Sequence, residues 1–296
     1  MARRTVRSTM GTDYTAHRLA VIGAGVMGTN ISTLALGHGV PVTLVDLDDA
    51  VLAQARTTIR QKLRHAALVG ALPDRPQAEL TTTTSLADIA DATSVVEAVV
   101  EIAETKYKVL AEASSLVRPG TTLISNTSCI SIDEMAAHVA RPEELVGTHF
   151  MNPSYMIKMV EVIRGSATSD AVLAGVGDLL TVLGRQSLVI NDSTGFVINR
   201  LLHPLINTAA MLVQEGVASV EVVDGLLEGC LGHATGPLRT GDLIGLDNLV
   251  DSLQVLYERR GDESCKPCDL LLEKVREGHH GRKTGRGFYD YGKVAS

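Results

Sequence analysis

Three segments of the sequence carry side chains that could take part in proton transfer. Ser125-Asn126-Thr127-Ser128 follows an apolar run, His149 ends a second run, and Glu161 lies on a third, twelve residues after His149. A histidine that takes a proton from an alcohol needs a partner that orients its ring and stabilises the imidazolium, and a buried glutamate does both. Spacing alone leaves two interpretations of His149 open, a general base and an ordinary buried polar residue.

A glycine-rich turn precedes these segments and matches the pattern G-x-G-x-x-G. Gly23 permits a tight turn out of a strand, Gly25 lets the backbone approach a pyrophosphate, and Gly28 allows close packing of the following helix on the sheet. The free N–H groups at the start of that helix can hold the anion. The predicted contacts of the cofactor on this turn are Gly23, Gly25, Val26, Met27 and Gly28.

The residue that selects the nucleotide is predicted to be Asp46, which ends the next apolar run 18 residues after Gly28. A carboxylate there accepts hydrogen bonds from both hydroxyls of an adenosine ribose and repels a 2′-phosphate. Asp48 and Asp49 add to that repulsion, and no arginine stands beside them. The sequence therefore favours NAD over NADP.

The order of predicted elements indicates a Rossmann-type α/β fold, in which a doubly wound, mostly parallel sheet is followed by an all-α domain. Strand 18–22, helix 26–37 and strand 42–46 form a βαβ unit, which requires a right-handed crossover. A helix over 50–68 follows, and further strands are predicted at 79–83, 94–100, 121–125, 145–149, 159–162 and 187–190. From Phe196 to about Glu258 the apolar spacing is helical. We therefore predict a tail over 1–16, a nucleotide-binding domain over 17–193 and a helical substrate and dimerisation domain over 194–296.

Composition excludes several classes of protein. The 296 residues carry a net charge of −7 and are 45% hydrophobic, which argues against a nucleic-acid binder and against a disordered chain. No apolar run reaches the roughly 18–20 residues that span a bilayer. Four scattered cysteines and the lack of a signal-peptide pattern favour a cytoplasmic protein. The aliphatic content of the helical domain favours a homodimer.

Several motifs, in the same order along the chain, resemble the 3-hydroxyacyl-CoA dehydrogenase family. They are the glycine turn, Ser125-Asn126-Thr127-Ser128, His149-Phe150-Met151-Asn152-Pro153, Met159-Val160-Glu161-Val162-Ile163, the segment from Asp192 to Arg200, and the segment from Arg282 to Tyr289. The likeness extends from about residue 18 to 291. It implies an enzyme that interconverts a 3-hydroxyacyl thioester and its 3-oxo form with NAD.

The resemblance also implies roles for individual residues. His149 matches the general base of the family and Glu161 its partner, while Ser128 and Asn199 match the residues that hold the reacting oxygen. Further cofactor contacts implied in the same way are Glu101, Lys106, Asn152 and Lys283. For Lys106 and Lys283, a solvated surface lysine is the alternative.

Departures from the family pattern leave the substrate open. Met151 replaces a phenylalanine, and Ser154-Tyr155-Met156-Ile157 replaces the common Val-Pro-Val-Met, so the acyl group is not determined. The stretch 232–247 is similar to family members that oxidise small polar acyl groups on an acyl carrier protein, in the assembly of polyketide extender units. We therefore hold a short-chain acyl-CoA as the first hypothesis and a carrier-bound acyl group as the second. A non-catalytic NAD-binding or structural protein is the third.

Two smaller features complete the predictions. Arg60, Lys62 and Arg64 on one predicted helix are the candidate basic patch for CoA or an acyl carrier protein, and the solvated face of that helix is the alternative. Cys265 and Cys268 form a C-x-x-C pair, but it lies in the helical half and lacks two further ligands at suitable spacing. We predict a structural role for the two cysteines and no metal site.

Overall fold

The computed structural model describes residues 16–292, and the predicted tail lies almost wholly outside them. Within that range the chain forms eight strands and ten α-helices. The strands are β1 (Leu19–Ile22), β2 (Val42–Val45), β3 (Leu80–Thr83), β4 (Ser94–Glu97), β5 (Thr122–Ser125), β6 (Leu145–His149), β7 (Met159–Arg164) and β8 (Gln186–Asn191). The helices are α1 (Val26–Gly37), α2 (Asp49–Leu68), α3 (Ala103–Leu116), α4 (Ile132–Ala136), α5 (Asp170–Val182), α6 (Ile198–Gln214), α7 (Val220–Leu231), α8 (Pro237–Ile244), α9 (Leu246–Arg260) and α10 (Asp269–Arg276).

The chain divides into two compact units between Asp192 and Ser193. The first unit is built on one sheet with the strand order β3-β2-β1-β4-β5-β6-β7-β8. The predicted βαβ start is present, with β1 and β2 parallel and α1 spanning the predicted residues. The mostly parallel Rossmann-type sheet followed by a helical unit confirms the predicted fold class.

One pair of neighbouring strands runs antiparallel, so the sheet is mixed at that point. β6 and β7 pair in antiparallel register, with His149 opposite Glu161. Only nine residues join these strands, and a parallel crossover needs a dozen or more. At β8, the last strand of the sheet, Leu188 and Val189 are exposed.

The core of the first unit consists of aliphatic side chains from the strands and from helices α1, α2 and α5. β1, β4 and β5 are buried along their whole length, and β4 and β5 each end in a polar residue. The polar residues that end β4 and β5, Glu97 and Ser125, are register partners. This arrangement brings the side chains at the carboxyl ends of these strands together.

His38 is a buried histidine outside that edge, and its titration predicts a pH dependence of stability. Burial is the main cause that lowers its pKa from 6.5 to about 4, although Nδ1 hydrogen-bonds the Leu34 carbonyl. Below pH 6.5 the unfolded chain binds a proton that the folded chain resists, so stability falls as the pH drops toward 4. We expect His38→Gln to remove about 1–3 kcal/mol of the loss of unfolding free energy between pH 7 and pH 4.5, at 1.36 kcal/mol per pKa unit. Urea denaturation of both proteins at the two pH values measures this; equal losses would contradict it.

The second unit packs α6, α8, α9 and α10 around a separate apolar core that includes Cys265 and Cys268. Asn207 on α6 is fully buried and holds the loop that carries these cysteines. Its amide donates to the carbonyls of Ser264 and Lys266, and its oxygen accepts from the Cys268 N–H at 2.9 Å. Both thiols are free, and no group of three or more possible metal ligands occurs among residues 16–292. These contacts give the C-x-x-C pair a structural environment.

The stretch 232–247 also has a structural explanation. The buried Asp224 carboxylate accepts from Leu238 N and Arg239 N at the start of α8. Asp242 on α8 accepts from the N–H groups of Phe288 and Tyr289 and so holds the C-terminal segment. The residues of this stretch therefore stabilise the second unit, and none of these contacts points to a particular acyl carrier.

A helix that crosses a bilayer must be both long enough and apolar enough. None of the helices within residues 16–292 meets both conditions.

Candidate active site

The glycine turn follows β1 and opens α1 as predicted, and its geometry shows what each glycine does. Gly23 has φ +102°, and a Cβ there would lie 2.6 Å from the Ala98 carbonyl oxygen. A Cβ on Gly28 would lie 1.8 Å from the Gly23 carbonyl oxygen, so only glycine permits this contact. By contrast, a Cβ on Gly25 would meet nothing within 4 Å. Open space above Gly25, beside the N-terminus of α1, fits the pyrophosphate of a dinucleotide.

Asp46 follows β2 and is tied to this turn. Its Oδ2 accepts a hydrogen bond of 2.8 Å from Ala24 N, and its Oδ1 accepts one of 2.8 Å from Leu47 N. Two carboxylate oxygens offer about four acceptor positions, so capacity remains for the two hydroxyls of a ribose. Val26 and Leu47 are exposed beside it and present apolar surface. The residues therefore fit an adenosine ribose without a 2′-phosphate.

A buried ion cluster lies where β4 and β5 end, and Lys106 is its centre. The Lys106 side chain is 0% exposed, and its Nζ lies 2.8 Å from Glu97 Oε1 and 3.2 Å from Glu101 Oε2. The alternative of a solvated surface lysine is therefore wrong for Lys106. Glu97 was not predicted, because its carboxylate ends an apolar strand and no motif identifies it.

Glu101 joins this cluster to the segment that carries Ser128. Its Oε1 accepts from the Thr127 hydroxyl, from Ser128 N at 2.7 Å and from Cys129 N at 3.2 Å. Burial alone would raise the pKa of Glu101, but the Lys106 ammonium and these hydrogen bonds outweigh it and hold the pKa below its usual value of 4.5. Glu101 is therefore ionised at neutral pH and fixes the backbone of Ser128.

His149 and Glu161 form a direct side-chain contact across β6 and β7. His149 Nδ1 lies 2.7 Å from Glu161 Oε2, and both side chains are less than 10% exposed. The antiparallel register makes them opposite neighbours, whose side chains project from the same face of the sheet. An imidazole held through Nδ1 presents Nε2 for proton exchange with a ligand.

Asn152 lies in the loop after β6, close to α1. Its Oδ1 accepts a 2.8 Å hydrogen bond from Asn30 Nδ2, and Asn30 is buried on α1. Phe150 N donates to Asn126 Oδ1 at 3.3 Å, which ties the same loop to the segment after β5. The first unit therefore brings the glycine turn, Ser128, His149 and Asn152 to the carboxyl ends of neighbouring strands.

Two predicted site residues belong to the second unit. Asn199 is buried in the first turn of α6. Lys283 is 45% exposed, and its Nζ donates to Asp247 Oδ2 at 2.6 Å. Lys283 thus has a carboxylate partner within its own unit.

The three basic residues predicted to form one patch on α2 lie on two different sides of that helix. Lys62 points toward α1, where its Nζ donates to the Thr29 hydroxyl at 2.9 Å, and burial lowers its pKa. It lines a groove of about 470 Å³ that also includes Gly25 and Val26. Arg60 and Arg64 instead share an exposed face with Arg56, because residues four apart lie on one side of a helix.

Both units of the chain match one family of known proteins. Residues 18–193 match the family described as "3-hydroxyacyl-CoA dehydrogenase, NAD binding domain", and residues 195–291 match "3-hydroxyacyl-CoA dehydrogenase, C-terminal domain". A probable 3-hydroxybutyryl-CoA dehydrogenase of Deinococcus radiodurans is 39% identical over 277 residues, covering 93% of this chain and 100% of that protein.

Solved structures agree as well. The crystal structure of FadB2 from M. tuberculosis has a TM-score of 0.89 at 38% identity, over 93% of this chain and 99% of that one. The (S)-3-hydroxybutyryl-CoA dehydrogenase PaaH1 of Ralstonia eutropha has a TM-score of 0.86 at 35% identity, over 94% and 99% of the two chains. The chain therefore belongs to the 3-hydroxyacyl-CoA dehydrogenase family, and it is an enzyme of that class with NAD as its cofactor.

Proposed function

We propose that this enzyme interconverts a short-chain 3-hydroxyacyl-CoA and its 3-oxo form, with His149 as the general base and Glu161 as its partner. The observation that carries the proposal is the buried 2.7 Å contact between His149 Nδ1 and Glu161 Oε2. A histidine fixed and charge-compensated in this way suits proton transfer, which typically accelerates a reaction by about 10²–10⁴-fold.

The proton pathway follows from the hydrogen bond. With Nδ1–H donated to Glu161, Nε2 of the neutral ring carries a lone pair. In the oxidation, Nε2 takes the proton of the 3-hydroxyl group as the C–O bond becomes a carbonyl, and the Glu161 carboxylate stabilises the resulting imidazolium. In the reduction, the same Nε2–H returns its proton to the oxygen at C3.

Ser128 and Asn199 are proposed to hold that oxygen in line with His149. Glu101 supports this role for Ser128, because it fixes the Ser128 backbone through a 2.7 Å hydrogen bond. A hydroxyl on a fixed backbone can donate to a developing carbonyl oxygen with little reorganisation. For Asn199 the support is the family match of its segment.

NAD is proposed to bind along the glycine turn. Gly23, Gly25, Val26, Met27 and Gly28 would receive the pyrophosphate, Asp46 the adenosine ribose, and Glu101, Lys106, Asn152 and Lys283 the remainder of the cofactor. Bound NAD⁺ supplies the acceptor for the hydride that leaves C3.

The anionic half of the substrate is proposed to lie toward α2. Arg56, Arg60 and Arg64 form an exposed stripe, and no acidic residue occurs between residues 50 and 72. Such a local excess of positive charge, in a chain of net charge −7, attracts a polyanion such as CoA. An acyl carrier protein is also anionic, so the stripe supports the second hypothesis equally.

The central experiment is the oxidation of NADH with acetoacetyl-CoA, run beside the same acyl group on an acyl carrier protein. Turnover of the CoA ester identified by mass spectrometry of the product supports the proposal. If only the acyl group on the acyl carrier protein is reduced, the CoA substrate is wrong and the second hypothesis, a carrier-bound substrate, takes its place. NADH binding without turnover of either thioester would overturn the proposal.

Asp46 provides a test of the cofactor assignment. We expect Asp46→Ala to lower the ratio of kcat/KM for NADH to kcat/KM for NADPH by about tenfold or more, since about 1.4 kcal/mol of discrimination corresponds to a factor of ten. The variant loses acceptors for the ribose hydroxyls and the charge that repels a 2′-phosphate. Steady-state kinetics with both cofactors measure the ratio. An equal loss of kcat/KM with NADH and with NADPH would contradict this role. Asp46 would then only hold the glycine turn, through its hydrogen bond from Ala24 N.

A homodimer through the second unit is part of the proposal. Leu201 on α6 and Leu231 at the end of α7 are 69% and 70% exposed, and several further aliphatic residues on these helices are exposed. Apolar surface of this kind on a helical unit favours burial against a second copy. Sedimentation equilibrium gives the mass; a monomer at micromolar concentration would refute the dimer.

A further inference from the structure

The buried carboxylate of Glu97 has no role in the mechanism above, yet it is among the most constrained groups in the first unit. Glu97 ends β4 and is 0% exposed. Its Oε1 accepts from Val99 N and from Lys106 Nζ, both at 2.8 Å. Its Oε2 accepts from the Ser125 hydroxyl at 2.6 Å. Three donors thus satisfy most of the hydrogen-bonding capacity of this fully buried side chain and fix its position.

Glu97 is linked to Ser128 through two further residues. Lys106, held by Glu97, contacts Glu101 Oε2 at 3.2 Å, and the other oxygen of Glu101 accepts from Ser128 N. Both links are charge-assisted interactions, which are stronger and more directional than neutral hydrogen bonds. The cluster thus connects the fixed end of β4 to the segment after β5.

Glu97 is also linked to the glycine turn, through the residues that follow it in the chain. The residue after it, Ala98, places its carbonyl against Gly23, where a Cβ would lie at 2.6 Å. The Val99 N–H bond to Glu97 holds this short connection in place. A shift of Glu97 would therefore be transmitted to the turn and to the Ser128 segment together.

We propose that Glu97 is a positioning residue of this enzyme: as the counter-ion of Lys106, it keeps the ammonium centred between two carboxylates and so holds Glu101 where it fixes Ser128. Two carboxylates share one ammonium here, and each restrains its position. Without the Glu97 charge, Lys106 has a single anionic partner and moves toward Glu101, which draws the Glu101 carboxylate away from the Ser128 backbone. The role of Ser128 rests on the function proposed above, whereas the effect on its backbone does not.

The test is Glu97→Gln, which keeps the shape of the side chain and removes its charge. We expect hydrogen exchange at the amides of Ser128 and Cys129 to become about tenfold faster, because their acceptor is no longer fixed. We expect kcat for acetoacetyl-CoA to fall about 10- to 100-fold, because a small misplacement near the reacting atoms affects the chemical step. We expect KM for NADH to rise as well, because Glu101 and the glycine turn are also proposed cofactor contacts.

Glu144 offers a matched control, because it is a buried glutamate immediately before β6, at the opposite end of the strands from Glu97. Its Oε1 accepts from Gly120 N at 2.6 Å and its Oε2 from Arg141 Nε at 2.6 Å. Glu144→Gln should accelerate exchange at the Gly120 amide, leave Ser128 protected and leave kcat unchanged. Glu97→Gln should accelerate exchange at Ser128 and lower kcat, while the Gly120 amide stays protected. The two variants should lose a similar amount of Tm.

The outcomes separate the two proposals. If Glu97→Gln lowers Tm like Glu144→Gln but leaves Ser128 exchange and kcat at wild-type values, Glu97 is only structural and the inference is overturned. If wild-type enzyme has no thioester activity while Ser128 exchange still accelerates in Glu97→Gln, the proposed function fails and the positional link stands.

A second variant covers the case in which Glu97→Gln does not fold. The double variant Glu97→Gln, Lys106→Gln replaces the ion pair by neutral amides. Unchanged protection of Ser128 in that double variant would equally refute the link.

Discussion

Replacing His149 by alanine should lower kcat for NADH-dependent reduction of acetoacetyl-CoA by about 10²–10⁴-fold, the usual contribution of a positioned general acid or base. Without the imidazole, the oxygen at C3 has no donor that returns the proton as the hydride arrives. Stopped-flow or steady-state measurement of NADH absorbance gives kcat. NADH affinity, measured separately by fluorescence titration, should change little because His149 acts on the substrate side.

Glu161 and His38 supply the comparison variants. Glu161→Gln retains the imidazole but weakens its orientation and charge compensation, so we expect a smaller loss of kcat than in His149→Ala. His38 is buried like His149 but hydrogen-bonds a backbone carbonyl, so His38→Gln should leave kcat unchanged. If His149→Ala retains more than about a tenth of the wild-type kcat, the general-base assignment is wrong.

Replacing Lys106 by methionine should destabilise the first unit by about 3–5 kcal/mol, the typical cost of removing one partner from a buried ion pair. Methionine fills most of the volume but leaves the buried Glu97 carboxylate without its counter-ion. Urea unfolding of both proteins at neutral pH measures the effect.

Lys62 is the matched control for this prediction. It is half-buried and donates to a neutral hydroxyl, Thr29, so Lys62→Met leaves no charge without its partner. We expect a change of less than about 1 kcal/mol, as for most partly exposed side chains. Equal destabilisation by the two substitutions would show that loss of packing, not loss of the counter-ion, dominates at Lys106.

Local sequence was sufficient where a short-range rule applies. The predicted α1 coincides with the observed Val26–Gly37, because a glycine turn between two apolar runs permits few other structures. β6 was likewise predicted with its observed bounds, Leu145–His149. Strand ends were less reliable: β4 stops at Glu97, whereas the apolar run continues to Val100.

Side-chain environments were harder to predict. Lys106 and Lys62 look alike in sequence, each on a predicted helix near the cofactor motifs. One lies fully buried between two carboxylates and the other rests on a threonine of α1. Helical periodicity shows which residues share a face, but the neighbouring element determines whether a charge on that face meets a carboxylate, a hydroxyl or solvent.

By itself, the sequence determined the fold class, the cofactor turn with Asp46, and the residues eligible for proton transfer, because these depend on backbone freedom and side-chain type over short distances. Only the tertiary structure decided which of them meet. The antiparallel register of β6 and β7 sets His149 against Glu161, and the packing of α3 after β4 buries Lys106 between Glu97 and Glu101. Both arrangements depend on how one element packs against the next. Strand register and helix packing are determined by which faces become buried in the whole unit, so no local pattern encodes them.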